Sequence, residues 1–289
     1  MSQFTRDFRH LIGRRHALGL IGTTATGLAL AGCSQADSGP GGGGPGGPPP
    51  GGGRGMQGYP DVVGTAADGS TCVAFPGETE GPYPADGRGR RAVANVLEQD
   101  TLNRSDIRSS FGGMTGTAQG VPLSLELQLV DVDHGCRPLA GHALYIWQCD
   151  AAGEYSLYTL EDQNYLRGLQ VADSGGVVRF RSIFPACYTG RFPHIHFELF
   201  ENLASATGGS NALLTSQLAL PETADNAVYR DTSAYPGSAG NLSRVSLSND
   251  NVFGDNTDAQ VRAQTLAMRG SPAAGYSASA IIGYTATYA

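Results

Sequence analysis

The sequence predicts an all-β fold, an antiparallel β-sandwich with long loops and few short helices. Several segments have the composition and the alternation of β-strands, whereas helical periodicity is scarce. About 230 residues follow a Gly/Pro-rich stretch near the N-terminus, which is enough chain for a single domain with a good core. We therefore expect one domain built from packed sheets.

The clearest strand signal is the segment VPLSLELQLVDV, in which Leu123, Leu125, Leu127 and Leu129 alternate with other residues. Because side chains of a strand alternate between its faces, these leucines are expected to face the core. Further strand-like segments are HALYIWQC, GVVRFRSI, HIHFELF, LLTSQLAL and IIGYTATY. The best helical signal, DNTDAQVRAQTLAMRG, begins with Asp or Asn and stops at Gly270.

The segment HIHFELF carries two candidate metal ligands. In an extended strand, His194 and His196 point to the same side, while Ile195 and Phe197 point into an apolar layer. Two imidazoles are then aimed at one point. An H-x-H pair alone is a weak signal, because such a pair is more often two structural polar histidines than a metal site.

Two tyrosines extend this candidate site. Tyr188 lies in a loop-forming stretch broken by prolines and glycine, and Tyr155 follows a turn signal at residues 151–153. Each of them alone is compatible with an ordinary aromatic. A phenolate is a hard anionic donor, and because the tyrosine pKa is ordinarily about 10, it ionises at neutral pH only beside a strong Lewis acid. Fe(III) is the ion expected for such a set.

The segments IWQCDAAGEYS and YLRGLQVADSGGVVRFRSIFPACYTGRFPHIHF resemble the intradiol ring-cleavage dioxygenases, the family of protocatechuate and catechol dioxygenases. The resemblance extends approximately from residue 70 to residue 220. It implies a β-sandwich core and a non-haem Fe(III) ion held by Tyr155, Tyr188, His194 and His196. The implied reaction uses O2 to cleave a catechol-type aromatic diol between its two hydroxylated carbons, giving a muconate-type dicarboxylate.

The resemblance also implies roles for neighbouring residues. Tyr188 is expected to leave the metal and collect a proton from the substrate. Arg191, which is always charged, is expected to stabilise negative charge on the ring, with a salt bridge at the strand entrance as the alternative. The segment TSQLAL is similar to the family's Thr-x-Gln strand and suggests Gln217 as a hydrogen-bonding neighbour, and ETEGPYP resembles the family's entrance segment.

Residues 1–32 are predicted to be a twin-arginine export signal. Arg14 and Arg15 precede a short apolar run that ends in a lipobox at residues 30–33. The run is short and rich in Gly, Ala and Thr, so it makes a poor transmembrane helix. Cleavage before Cys33 would allow lipid attachment there, which is the expected membrane contact; a secreted form without lipid is the alternative.

Residues 33–60 are predicted to be a disordered Gly/Pro-rich tether, and residues 61–289 the catalytic domain. The formal net charge is -7. Since the export signal contributes a net +3, the remaining chain carries -10. This acidic balance argues against nucleic acid as a partner. The expected partners are a small aromatic diol and O2, at a periplasmic or cell-surface location.

Four cysteines follow Cys33, and an even number in an exported domain predicts two disulfides. Three pairings are possible, of which we favour Cys72 with Cys136 and Cys149 with Cys187. A thiolate metal site fits less well, because the chain has no Cys-x-x-Cys spacing.

Two other kinds of protein share some of these sequence features. Cupins also place H-x-H in a β-barrel, and Glu201 and Gly208 fall near cupin spacing, but no histidine follows His196 and Tyr188 stands where a cupin would have glycine. The other class is a lipid-anchored β-sandwich that binds a partner without catalysis. All four presumed ligands are present, which argues against it because the fold alone does not need them.

Overall fold

The four alternating leucines form the inner face of a long strand, as predicted. The computed structural model describes residues 58–88 and 95–288. In it, Leu123, Leu125, Leu127 and Leu129 are at most 2% exposed, whereas the intervening Ser124 is exposed. Burying one such side chain stabilises the fold by about 2 kcal/mol, so this alternation fixes which side of the strand faces inward.

Two main sheets and a small β-ribbon make up the domain, which confirms the predicted β-sandwich. The strands are β1 Val63–Thr65, β2 Thr71–Val73, β3 Pro122–Asp131, β4 Arg137–Pro138, β5 Ala143–Trp147, β6 Arg167–Val171, β7 Val177–Ile183, β8 His194–Phe200, β9 Leu214–Ala219, β10 Ala267–Ser271 and β11 Gly275–Tyr284. One sheet has the order β10-β11-β3, with β4 and β7 paired along the other edge of β3; the second has the order β6-β5-β8-β9; and β1 pairs with β2.

Pairing among these strands is antiparallel, with one exception. β11 runs parallel to β3, with Ala278 opposite Leu125 and Ile282 opposite Leu129. A parallel pair needs a long crossover connection. Here the connection runs through residues 132–274, and its part between β9 and β10, the crossover region, contains the three short α-helices of the described residues: α1 Glu222–Val228, α2 Ser238–Leu242 and α3 Asp258–Gln264.

The predicted helix over residues 255–270 is only partly correct. Thr257 caps α3 through a capping box with Gln260, but the helix ends at Gln264. Residues 267–271 form β10, which pairs with β11 from Ala267 opposite Ser279 onward. Residues 267–271 are a strand because they pair with β11, and the periodicity within residues 255–270 contains no information about that partner. β11 also begins six residues earlier than the predicted strand at 281–288 and ends at Tyr284.

The two predicted disulfides have different outcomes. Cys72 and Cys136 are bonded, which confirms the first pairing. The second pairing is wrong, since Cys149 and Cys187 are free and buried. The Cys149 thiol contacts the carbonyl of Ala186 at 3.6 Å, and the Cys187 thiol contacts the carbonyl of Arg191 at 3.5 Å. The two thiols thus have separate backbone partners.

The predicted export signal, Cys33 and the tether up to residue 57 lie outside the described residues. At the C-terminal end of the predicted tether, the Tyr59 ring packs on Tyr288 with 4.5 Å between ring centres, and the Tyr288 hydroxyl donates to the Pro60 carbonyl. Within the described part of the chain, no helix has both the length and the apolar composition to cross a membrane.

Replacing Cys72 and Cys136 together by serine is expected to lower the free energy of unfolding by about 2–4 kcal/mol, because the bond closes a 64-residue separation in the chain. Urea unfolding under non-reducing conditions measures the change. Cys149→Ser is the control, and its smaller effect should be the same with or without reductant. An unfolding midpoint of the wild type that reductant leaves unchanged would contradict the bond.

Candidate metal centre

Strand β8 directs the two histidines away from the apolar core. Ile195 and Phe197 face inward and are 0% exposed, while His194 and His196 face the other side and are each 2% exposed. Both faces of this strand are therefore buried. His196 lies opposite Trp147 of β5.

The two imidazoles converge through their Nε2 atoms, which are 3.0 Å apart. The Nδ1 atom of His194 lies 2.6 Å from the Phe192 carbonyl, which only accepts, so the proton sits on Nδ1 and leaves Nε2 with a free lone pair. The ring of His196 is held flat against Trp147, at 4.9 Å between centres and 7° between planes. Both rings are thus fixed in orientation.

Tyr188 reaches the same point from the loop between β7 and β8. Its hydroxyl lies 3.2 Å from Nε2 of His194. The crossover helices hold this loop in place, since the Tyr229 hydroxyl donates to the Pro185 carbonyl at 2.8 Å and the Asn241 amide donates to the Cys187 carbonyl at 2.9 Å. Tyr188 is only half-buried, in contrast to the two histidines.

Tyr155 reaches the site from the loop between β5 and β6. Asp150 shapes the predicted turn by accepting from the backbone N–H groups of Ala152 and Glu154 at 2.8 and 3.0 Å. The ring of Tyr155 lies 6.0 Å from that of Tyr188 and 6.4 Å from that of His196, between centres. Its hydroxyl is buried and forms no hydrogen bond of normal geometry with the described residues.

The buried Arg167 holds Ser156, the residue that follows Tyr155, in place. Arg167 is 0% exposed, and its guanidinium donates to the Ser156 hydroxyl at 3.1 Å and to the Ser156 carbonyl at 2.9 Å. It also donates to the Pro84 carbonyl at 3.1 Å and to the Tyr145 hydroxyl at 3.2 Å. Arg167 therefore ties the loop that carries Tyr155 to the sheet.

The four side chains predicted from the sequence are thus close together, as two nitrogen and two oxygen donors. Burial, and then the positive charge of Arg191, lowers the pKa of His194 to about 3, so its imidazole is neutral and able to bind a metal. Burial raises the pKa of both Tyr155 and Tyr188, so in this environment their phenolates need a strong cation.

This donor set fits Fe(III), because the buried Tyr155 hydroxyl forms no hydrogen bond of normal geometry with the described residues and the other donors are a second tyrosine and two neutral imidazoles. Among the described residues, no group of three or more His, Cys, Asp or Glu side chains is arranged to hold a metal. Glu201, considered as a cupin-type ligand, is exposed beyond the end of β8. The tyrosine-containing set is therefore the candidate centre.

Arg191 lies beside the cluster and is itself in an ion pair. Its Nη1 atom is 3.5 Å from Nε2 of His194, and its Nε atom is 2.9 Å from Oδ2 of Asp250. Its Nη2 atom donates to Oε1 of Gln217 at 2.6 Å, and Gln217 donates in turn to the Thr79 carbonyl at 3.0 Å. The salt bridge expected as the alternative is present, while the expected role of Arg191 toward the substrate ring stays a prediction.

Asp250 is a functional candidate that sequence reasoning missed. Its side chain is 0% exposed, and besides Arg191 it accepts from the backbone N–H groups of Phe192, Val252 and Phe253 at 2.7–3.2 Å. Although burial opposes ionisation, the charge of Arg191 and these hydrogen bonds lower the pKa of Asp250 below its ordinary value. The segment SNDNVF around it has no pattern that would have marked it.

The segment ETEGPYP lies over the ligand side of β8. Gly81 adopts a φ of +71°, and a Cβ atom there would lie 3.1 Å from Cε1 of His196, so this position favours glycine for both backbone and space. The ring of Tyr83 stacks on Tyr155 with 4.6 Å between centres. The segment thereby covers two of the four candidate ligands.

Glu78 begins this segment and is largely buried. Its carboxylate accepts from the amide of Asn256 at 2.8 Å and lies 3.5 Å from the amide of Gln264. Burial outweighs these hydrogen bonds and raises the pKa of Glu78 to about 7. In the folded protein the carboxyl therefore keeps its proton over a range in which it is ionised in the unfolded chain.

Asp250→Asn is expected to lower the free energy of unfolding by about 3 kcal/mol, because it leaves the buried charge of Arg191 without a counter-ion. Urea unfolding measures the loss. In the double variant Asp250→Asn/Arg191→Gln the two effects should be clearly less than additive. Asp162→Asn, on the surface, is the control. Strict additivity would show that the ion pair has no energetic role.

Glu78→Gln is expected to remove a pH dependence of stability. In the wild type the free energy of unfolding falls as pH rises from about 4.5 to about 7, because the unfolded chain loses this proton first. The glutamine is neutral throughout, so the variant gains up to about 3 kcal/mol above pH 7 and little at pH 5. Urea unfolding across this range tests it, with exposed Glu161→Gln as control. Parallel curves for Glu78→Gln and wild type would contradict it.

Comparison with known proteins adds independent findings. A family model described as Dioxygenase matches residues 100–207, which include the four candidate ligands and Arg191 but neither Gln217 nor Asp250. No curated protein matches the chain.

Among solved structures, the chain is similar to an intradiol ring-cleavage dioxygenase from Tetranychus urticae, with 22% identity, a TM-score of 0.54, and coverage of 74% of this chain and 95% of that one. A dioxygenase domain from Streptomyces sp. SirexAA-E has 22% identity, a TM-score of 0.45, and coverage of 73% and 98%. The resemblance predicted from the sequence is therefore confirmed: this chain has the fold of the intradiol ring-cleavage dioxygenases, and its residues 100–207 match the dioxygenase family model.

Proposed function

We propose that the chain is a non-haem Fe(III) dioxygenase that uses O2 to cleave the ring of a catechol-type diol between its two hydroxylated carbons, giving a muconate-type dicarboxylate. The observation that carries the proposal is the convergence of two neutral imidazoles and two tyrosines, with a buried Tyr155 hydroxyl that forms no hydrogen bond of normal geometry with the described residues. The fold and the family model support the same activity.

Tyr155, Tyr188, His194 and His196 would hold the ion. When bound, Fe(III) supplies Lewis acidity that makes a diol acidic and activates its ring. The protein contributes a rigid, dry donor set. His194 is oriented by the Phe192 carbonyl and His196 by the flat contact with Trp147, so the two Nε2 atoms are in place before any ligand arrives.

Tyr188 is the candidate for the exchangeable ligand and proton acceptor. It is the one of the four side chains that is partly exposed, so an incoming diol approaches from its side. Burial raises the pKa of this tyrosine, so its oxygen would be a strong base wherever it is not held by the cation. The Tyr188 oxygen can therefore take a proton from a substrate hydroxyl.

Arg191 would stabilise negative charge that develops on the substrate ring. Its Nη1 atom lies 3.5 Å from Nε2 of His194, while Asp250 and Gln217 accept from its Nε and Nη2 groups. This arrangement fixes the cation in advance, so that no reorganisation is needed when charge develops. Asp250 and Gln217 are positioning residues in this proposal, because they act through Arg191.

We also propose that the enzyme acts outside the cytoplasm, tethered to a membrane through Cys33. The support is the N-terminal sequence pattern together with the Cys72–Cys136 bond, since disulfides persist in oxidising compartments. Metabolic labelling with a fatty-acid analogue, compared between wild type and Cys33→Ser, tests the lipid. Equal labelling of both proteins would exclude attachment at this residue.

The central test is a visible absorption spectrum of the purified full-length protein after loading with Fe(III), with an iron assay. We expect about one iron per chain and a broad tyrosinate-to-iron band that shifts when catechol is added. Tyr188→Phe should move the band and reduce ring cleavage by at least about a hundredfold, because a ligand and a proton acceptor are lost together. Tyr284→Phe, a partly exposed tyrosine of β11, is the matched control.

His194→Ala should abolish the band and the bound iron. A protein that stays colourless with Fe(III) would exclude the metal centre and favour a binding module that keeps the fold without catalysis. A coloured protein whose band does not respond to catechol-type diols would keep the metal centre and reject the proposed substrate class.

A further inference from the structure

The exposed face of the sheet that contains β3 carries a row of aligned polar side chains. Arg269 of β10 is opposite Ser277 of β11, Ser277 is opposite Ser124 of β3, and Ser124 is opposite Arg181 of β7. All four side chains are exposed. Since neighbouring strands are about 4.8 Å apart, the row places two arginines roughly 14 Å apart at the Cα level, with two hydroxyls between them.

This row forms the floor of a trough. A cavity of about 850 Å³ lies over it, and a second cavity of about 750 Å³ adjoins the first, sharing Glu126, Ala267 and Ser279 as lining residues. The chain at Ser105 lines one end of the trough, and α3 with Arg262 lines the other. Each of the two cavities is within the size range of an ordinary small-molecule site, and together they extend along the sheet face.

The charge of the trough is opposite in sign to that of the whole protein. Its lining contains four arginines and one glutamate, although the chain has a net charge of -7. Arg179 is neutralised by Glu126 and Asp173. Arg181, Arg262 and Arg269 form no salt bridge with the described residues.

Asp106 is the acidic group that partly offsets the charge of Arg181. Its carboxylate is already paired with Arg108 at 2.6 Å, and the charge of Arg181 adds to the lowering of its pKa. Arg181 therefore keeps donors free for another anion. Three unpaired guanidinium groups along one serine-rich trough are a site for a ligand with several carboxylates, because guanidinium binds carboxylate through two parallel hydrogen bonds.

We propose that this trough, defined by Arg181, Arg262, Arg269 and the serines between them, binds an acidic polysaccharide, a chain of sugars that carry carboxylates. Repeated carboxylates match the separated arginines, and sugar hydroxyls match the hydroxyls of Ser124, Ser277 and Ser279. The site lies on the exposed sheet face and contains none of the candidate metal ligands. The inference is independent of the proposed reaction.

Two other anionic partners fit the trough less well. A flat lipid surface does not enter a concave trough between a loop and a helix, although it would contact exposed arginines on a convex face. An acidic peptide in extended form pairs with the edge of a sheet, where backbone groups are free, and not with the middle of its face. The hydroxyl-rich floor favours a sugar chain over both.

The test is isothermal titration calorimetry of the full-length protein with polygalacturonate at low and high salt. The wild type should bind, and its affinity should fall as salt rises, because exposed charges are screened. Arg181→Gln/Arg269→Gln should weaken binding about tenfold. The matched control is Arg230→Gln/Arg244→Gln, which removes two exposed arginines of the crossover region and the same net charge.

Equal weakening in the two double variants would overturn the proposal, because it would show general charge attraction without a site. Absence of wild-type binding at low salt would overturn it as well. In parallel, sedimentation with anionic phosphatidylglycerol vesicles separates the lipid alternative: trough-dependent binding to vesicles without binding to polygalacturonate would replace the sugar chain by a membrane. A thermal unfolding scan of each variant verifies that the fold is retained.

Discussion

The structure depends on the strict alternation of β8 between two buried faces. From His194 to Leu199 its residues point in turn into a polar layer and into the apolar core, and all seven residues of the strand are buried. A shift of one residue would place imidazoles in the core and aromatic rings among the hydrogen bonds, so the register with β5 and β9 is tightly specified. The geometry of the candidate metal centre is therefore set by the packing of the sheet, and the loops supply the remaining donors.

The polar layer on β8 is stabilised by buried arginines whose hydrogen-bonding groups are satisfied. Arg191 has Asp250 as counter-ion, while Arg167 donates to carbonyl and hydroxyl oxygens of three segments. A buried guanidinium without such partners would cost several kcal/mol. The loops that carry Tyr155 and Tyr188 are thus fixed by hydrogen bonds and an ion pair with side chains and carbonyl groups that are spread from residue 79 to residue 250 of the chain.

The sequence allowed the parts of the site that depend on local pattern to be predicted. The alternation of β3 identified the core leucines, and the spacing of His194 and His196 placed both imidazoles on one side of a strand. Asp250 and Arg167 were missed because their roles arise from contacts across long sequence separations, 59 residues in the case of Arg191 and Asp250.

The two incorrect predictions, the full-length helix over residues 255–270 and the second disulfide, also result from contacts between residues that are distant in the sequence. Residues 267–270 belong to the predicted helical segment, yet they lie in β10 because β11 offers a ladder of hydrogen bonds to the backbone. The pairing of Cys149 with Cys187 failed because the direction of each thiol is set by its own backbone neighbour. Nonlocal partners decide both outcomes, and a single sequence does not display them.

The two free cysteines, Cys149 and Cys187, make local unfolding of the domain measurable. Burial raises the pKa of Cys149, and raises that of Cys187 to about 12, so neither thiol supplies the thiolate that oxidants and alkylating reagents attack. Both sit in the folded protein as inert side chains, even in an oxidising compartment. They become reactive only when the packing between the loops that carry Tyr155 and Tyr188 and the crossover helices opens. Their rate of alkylation therefore measures how often this part of the domain unfolds locally.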